Sequence, residues 1–317
     1  MIRVFFPLIY SVIAVALIAG LAPPVWAGTE RAICVIPDSQ HYADIHGSRI
    51  VWQDDRNGND DIYLKDLHTG LESPICTDTA TQNYPAIHGD RVVWQDDRNG
   101  SSNWDIYMYD LATATETAIC TATGNQYGPG IFGDRIVWMD YRSGDWDIYM
   151  YDLATSTETA ICTATNQQSD LAIHGDRIVW TDYRTAGSTS SDIYMYDLAT
   201  STETAICTNT AAQENPDLWG DRIVWEDNRG GDDDIYMYDL ATSTETAICT
   251  ATSDQEYPAI WGEHIVWRDM RGGVSTDIYM YDVLTSTETA ICTAADAQQF
   301  PAIHGDRIVW DDARDYA

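Results

Sequence analysis

After residue 27 the chain alternates short apolar runs with polar breaks, and no apolar period of three to four residues is sustained. One stretch sets the pattern: residues 85–88 read as a first strand, and Gly89-Asp90 as the tight turn that reverses it. Residues 91–97 then form a second strand rich in Val and Trp. A loop of Gly, Ser and Asn leads to a third strand at 105–111, and a turn at 112–115 to a fourth at 116–121. The third strand has Tyr107 and Tyr109 on one face and Ile106 and Met108 on the other, so both faces of its sheet are expected to be covered.

That unit recurs. Its tryptophan returns at Trp52, Trp94, Trp138, Trp180, Trp225, Trp267 and Trp310, at intervals of 42 to 45 residues. Four-strand units of this length, each covered by its neighbours, predict the blades of an all-β propeller of antiparallel sheets. Strand twist lets such blades stack around an axis, whereas an open β-solenoid is the alternative. Residues 29–34 copy a fourth strand, six complete units follow, and residues 300–314 supply a first and second strand. The total is 27 strands, one short of seven blades. The expected closure sets the N-terminal strand beside the C-terminal hairpin in a thin seventh blade, removing the exposed edges. The chain ends at Asp315-Tyr316-Ala317, where the next Asp-Ile-Tyr belongs, so a truncated or partial chain is also an open reading.

Residues 1–27 have the form of a secretory signal peptide: Arg3, an apolar run over 12–22, and a small-residue cleavage site at Val25-Trp26-Ala27. An uncleaved membrane anchor is the alternative. Residues 29–317 are then one propeller domain, expected to be secreted or at the cell surface, with no further run long enough to span a membrane. Fifty acidic residues against 17 basic give a net charge of -33, and Lys65 is the only lysine. This charge argues against nucleic acid and anionic membrane as partners.

The text Gly-Asp-Arg-Ile-Val-Trp, followed by Asp-Ile-Tyr-Met-Tyr-Asp-Leu, resembles the propeller repeat of TolB-like proteins. It is especially similar to the repeat-built surface proteins of methane-producing archaea. The resemblance runs from Thr29 to the C-terminus and implies an extracytoplasmic propeller. TolB itself has an N-terminal α/β domain for which this chain has no room, and the family's Ser-Pro-Asp-Gly turn is here Gly-Asp. TolB's partners are therefore not carried over.

Positions that repeat unchanged are expected to be scaffold. Each unit has one cysteine (Cys34, Cys76, Cys120, Cys162, Cys207, Cys249, Cys292), too far from its counterparts for a disulfide. These read as free buried thiols between blades, which fits a reducing or anoxic setting. Metal ligation is the alternative. Trp-x-Asp-x-Arg occurs in every unit with its three named side chains on one face of a strand, and the Asp and Arg are expected to pair at the blade junction. A glutamine (Gln40, Gln82, Gln126, Gln168, Gln213, Gln255, Gln298) precedes each first strand and should bond backbone groups of the loop. A ring of amides at a channel mouth is the other reading. His304, His46 and His88 fall on adjacent blades, where three imidazoles could hold a transition metal; the plainer reading is solvated turn residues.

Positions that vary are candidates for function. The loops between second and third strands, and between fourth and first strands, should share one face of a propeller. The candidate ligand-binding residues there are Tyr42, Tyr84, Trp104, Tyr127, Trp146, Tyr257 and Phe300, with Tyr141 and Tyr183 beside the loops. Aromatic platforms among amides and carboxylates suit sugar rings or extended peptides, though such rings also pack under their own loops. The Asp-rich stretches 54–61 and 231–234 fail the calcium-loop pattern and leave only weak Ca²⁺ binding in prospect. Asn99-Gly100-Ser101 is a lone glycosylation sequon.

No nucleophile elbow, zinc-protease motif or phosphate loop is present, so no catalytic residue, cofactor or metal ligand is assigned. The reading is a binding module for an envelope protein or glycan. The alternatives are a glycan-active lyase or hydrolase with an axial metal or carboxylate site, and a structural module of a larger surface protein.

Overall fold

The computed structural model describes residues 1–7, 28–34, 36, 39–100, 103–185, 190–273 and 275–314. The apolar run and cleavage site of the expected leader, Ser101 of the sequon, and residues 315–317 lie outside these. The described chain forms seven four-stranded antiparallel sheets, with a single 3₁₀ turn at Asn228–Gly230. It is a seven-bladed β-propeller. Among the described residues no helix is long and apolar enough to cross a membrane.

Blade three shows the plan from axis to rim: strand a (Gln126–Phe132), b (Arg135–Asp140), c (Asp147–Asp152) and d (Thr157–Cys162). Strand b is buried nearly throughout, as two covered faces require. Strand d is exposed until its last two residues reach the next blade. Strand a begins three residues before the expected position in blade two, at Gln82 opposite Asp96. A register shift between Asn83 and Ala86 explains the miss, because the bulge breaks the alternation on which the prediction relied.

The seventh blade corrects the expected strand count. Its order from the rim is Gly28–Ala32, Ile2–Pro7, Arg307–Asp312, Gln298–His304. Residues 2–7, assigned from sequence to the start of the leader, supply strand c, so the blade has four strands and the described residues hold 28. A hexapeptide that shares only the isoleucine of Asp-Ile-Tyr with the repeat, at Ile2, carried too little sequence signal for that place. Ring closure is covalent-free but dense: Arg307 Nη1 donates to the Gly47 carbonyl at 2.8 Å, and the Tyr42 amide donates to Asp311 Oδ2 at 3.1 Å.

The Trp-x-Asp-x-Arg motif is the staple between blades. All seven tryptophans are fully buried, each bringing ~4–6 kcal/mol of apolar burial before entropy. In blade four Trp180 Nε1 donates to Asp182 Oδ2 at 2.8 Å, and Arg184 Nη2 donates to the same oxygen at 2.7 Å. Arg184 also reaches Glu203 of its own strand d and, at 3.1 Å, Cys162 Sγ of the preceding blade. Its guanidinium lies 4.1 Å above the Tyr194 ring. The cysteines are thus free buried thiols at blade junctions, and burial pushes the Cys162 thiol up to about 12. The buried glutamines bond the loop backbone as expected: Gln126 Nε2 donates to the Gly124 carbonyl at 3.0 Å.

Candidate functional site: an aromatic crescent at the channel mouth

The second residue after each invariant glutamine sits in the left-handed region, with φ between +46° and +56°. Going round the ring, these residues are Tyr42, Tyr84, Gly128, Asp170, Asn215, Tyr257 and Phe300. For a side chain such as Tyr this conformation costs roughly 1–2 kcal/mol, so something must hold it. At Tyr42, Tyr84, Gly128 and Tyr257 the holder is the variable residue inside Trp-x-Asp on the preceding blade, Asp311 serving Tyr42. Gln53 Oε1 accepts the Tyr84 amide at 3.2 Å, Gln95 Oε1 accepts that of Gly128 at 3.0 Å, and Glu226 Oε1 accepts that of Tyr257. Fixed backbone and free side chain make this ring a place where identity can change without disturbing the scaffold.

The ring is asymmetric. Tyr257, Phe300, Tyr42 and Tyr84 occupy four consecutive blades with centroids 4.9, 4.7 and 4.3 Å apart. Tyr84 Oη also donates to Tyr42 Oη at 3.2 Å. The remaining three blades present Gly128, Asp170 and Asn215. The mouth is therefore an aromatic crescent facing a small, polar gap around a cavity of about 340 Å³. Burial raises the carboxyl of Asp170, which accepts from Ser169 Oγ at 2.7 Å.

Beyond Gly128 the gap opens into a side pocket of about 370 Å³, lined by Tyr84, Trp104, Tyr127, Met139 and Asp170. Trp104, Tyr127, Trp146 and Tyr141 form a second aromatic group with successive centroids 5.8, 5.1 and 4.9 Å apart. Tyr127, a sequence candidate beside Tyr42, Tyr84, Tyr257 and Phe300, is one residue early in its blade. Gly128 takes the mouth position, and Tyr127 belongs to the outer group. The structure thus brings the seven sequence candidates into two clusters that meet at Tyr84 and Trp104. Sequence reasoning missed Gly128, Asp170 and Asn215, although aligning the copies on their glutamines would have exposed the ring.

Farther down the channel Asp44 and Asp217 stand where the other copies have Ala or Gly. Burial raises both carboxyls to about 6. Each pins the next blade: Asp44 Oδ2 accepts the Ile87 amide and Asp217 Oδ2 that of Ile260, both at 2.8 Å. At the opposite face His46, His88, Phe132, His174, Trp219, Trp261 and His304 form a closed girdle of rings with neighbouring centroids 3.6 to 4.6 Å apart. Of the three histidines considered as metal ligands, His46 packs between His88 and His304 with the rings tilted by 52° and 59°. Burial and mutual repulsion lower His88 and His304 to about 4. Among the described residues no cluster of three or more His, Cys, Asp or Glu is arranged to hold a metal ion.

The fold and mouth define a seven-bladed propeller with one elaborated face. Neither a protein-family model nor a curated protein matches the chain. Among solved structures it is similar to the β-propeller domain of the Trilobed protease from Pyrococcus furiosus, which has an open velcro topology. That match has 14% identity and a TM-score of 0.69, covering 84% of this chain and 89% of the other. An oligogalacturonate lyase in complex with manganese matches with 14% identity and a TM-score of 0.65, over 92% of this chain and 95% of the other. TolB from Acinetobacter baumannii matches at 13% and 0.53, over 86% and 78%. The chain also aligns with the tricorn protease at 17% identity and a TM-score of 0.55, covering 82% of this chain and 27% of the other. At these identities the likeness is one of fold, and TolB-like propellers are among the neighbours.

Proposed function

We propose that this propeller is an extracytoplasmic binding module that takes a neutral glycan chain of the cell envelope across its aromatic mouth. The observation that carries this reading is the crescent of four rings opposed by the Gly128–Asp170–Asn215 gap, which continues past Gly128 to the Trp104 group. A sugar has an apolar face that stacks on an aromatic ring and hydroxyls that bond amides and carboxylates; the mouth offers both on opposite sides. A net charge of -33 opposes a polyanionic chain, which favours a neutral one. The leader-like residues 1–27 support the location outside the cytoplasm. The channel carboxylates of Asp44 and Asp217 are engaged by backbone amides, which favours binding over catalysis.

Size-fractionated neutral oligosaccharides from the host envelope, titrated while tryptophan fluorescence is followed, test this reading. Replacing Tyr84, Trp104 and Tyr257 together by alanine is expected to weaken binding at least tenfold, about 1.4 kcal/mol. The melting temperature should stay within a few degrees of the parent. Equal binding by parent and variant, or none by either, would count against the proposal.

A further inference from the structure

Blade seven is built from the same walls as its neighbours but holds a different third strand. The register of residues 2–5 on strand b reproduces that of residues 148–151 in blade three. Ile2 stands opposite Asp311 as Ile148 stands opposite Met139, and Val4 opposite Val309 as Met150 opposite Val137. Arg3 stands opposite Trp310, where blade three puts Tyr149 opposite Trp138.

That exchange changes the staple. In the other six blades the arginine of Trp-x-Asp-x-Arg lies over the strand-c tyrosine, 3.8 to 4.2 Å from its centroid. Blade seven retains Trp310, Asp312 and Arg314, and Glu30 stands in for the strand-d glutamate. With Arg3 in the tyrosine's place, two guanidinium groups share one pair of carboxylates. Arg3 Nη1 lies 2.7 Å from Glu30 and its Nε 3.4 Å from Asp312, both of which also bond Arg314. The four charges balance, and what blade seven gives up is the cation–π contact, worth about 0.5–2 kcal/mol.

We infer that the third-strand position of blade seven is an acceptor seat for an Asp-Ile-Tyr-Met-Tyr-Asp strand carried by a second chain of the same repeat, with Ile2–Pro7 as its resident competitor. The incoming strand pairs with both neighbours through main-chain hydrogen bonds, as in β-strand addition, and its first tyrosine restores the ring beneath Arg314. Cleavage after Ala27, expected of the leader, would remove the resident strand and open the same seat.

The test uses the full chain and a fluorescent peptide, Asp-Ile-Tyr-Met-Tyr-Asp-Leu-Ala, beside a scrambled peptide of equal composition. The resident strand competes from within the same chain and keeps apparent affinity low. Val4→Pro, which removes a strand amide and loosens that competitor, is expected to bind the repeat peptide at least tenfold more tightly than the parent. Replacing the peptide's first tyrosine by alanine should abolish the gain. A photo-crosslinking residue at that tyrosine should label the segment around Trp310 and Arg314 in the parent chain after prolonged incubation. The crosslink reports even if Val4→Pro fails to fold. Labelling elsewhere or not at all, or equal binding of repeat and scrambled peptides by a folded Val4→Pro variant, would overturn the inference.

Discussion

Replacing Asp182 by alanine is expected to destabilise the chain by about 3–5 kcal/mol, the range for removing one partner of a buried charged pair. Asp182 is fully buried and accepts from Trp180 Nε1, from the Arg184 amide, and from both Nε and Nη2 of Arg184. Alanine leaves a buried indole N–H and a guanidinium without their acceptor, and the guanidinium also holds Cys162 of the preceding blade and Glu203 of its own. Asp182→Asn keeps one acceptor oxygen and should cost less than alanine. Urea unfolding of parent, Asp182→Ala and Asp182→Asn measures the difference. A loss below 1 kcal/mol for the alanine variant would mean that the motif does not staple the blades.

The second large effect depends on pH. Burial raises the Glu226 carboxyl from an ordinary 4.5 to about 8, and its Oε1 accepts the Tyr257 amide at the mouth. Gln53 and Gln95 do the same work in two other blades without a charge. Below pH 4.5 folded and unfolded chains both keep the proton, and titration costs nothing. Between 4.5 and 8 the unfolded chain releases a proton that the folded chain retains, so stability falls by at most about 1.4 kcal/mol per pH unit. Above 8 the loss levels off. Glu226→Gln is therefore expected to match the parent near pH 4.5 and to exceed it by several kcal/mol at pH 8. Unfolding curves across that range check the divergence; parallel curves would show that Glu226 does not carry this cost.

Much of the fold was legible because one unit is written repeatedly. The recurrent tryptophan, the strand with two apolar faces and the 42–45-residue spacing specify a propeller blade, and repetition removes the ambiguity of any single copy. The seventh blade was not fully legible, since Ile2–Pro7 fits by backbone pairing and general apolarity rather than by repeat residues. The site was half legible. Aromatic residues at variable loops pointed to the face where the rings gather, but the left-handed turn that aims Tyr84 at the axis and sends Tyr127 outward is a backbone property. Nor could strand patterns reveal that Gln53, Gln95 and Glu226 reach across a blade junction to hold that turn.

The most direct test of the mouth as a glycan site is to close its gap. Gly128 has φ +56° and Tyr84, in the neighbouring blade, holds a tyrosine at φ +52°, so Gly128→Tyr is tolerated at the roughly 1–2 kcal/mol that conformation costs. A Cβ at Gly128 would meet only the flexible Met139 Cε, at 3.0 Å. Isothermal titration of parent and Gly128→Tyr with the neutral envelope oligosaccharides should show binding by the parent. It should show at least a tenfold loss in the variant, with both proteins melting at similar temperatures. Undiminished binding by Gly128→Tyr would mean that no ligand passes from the crescent through the gap, and would contradict the proposed site.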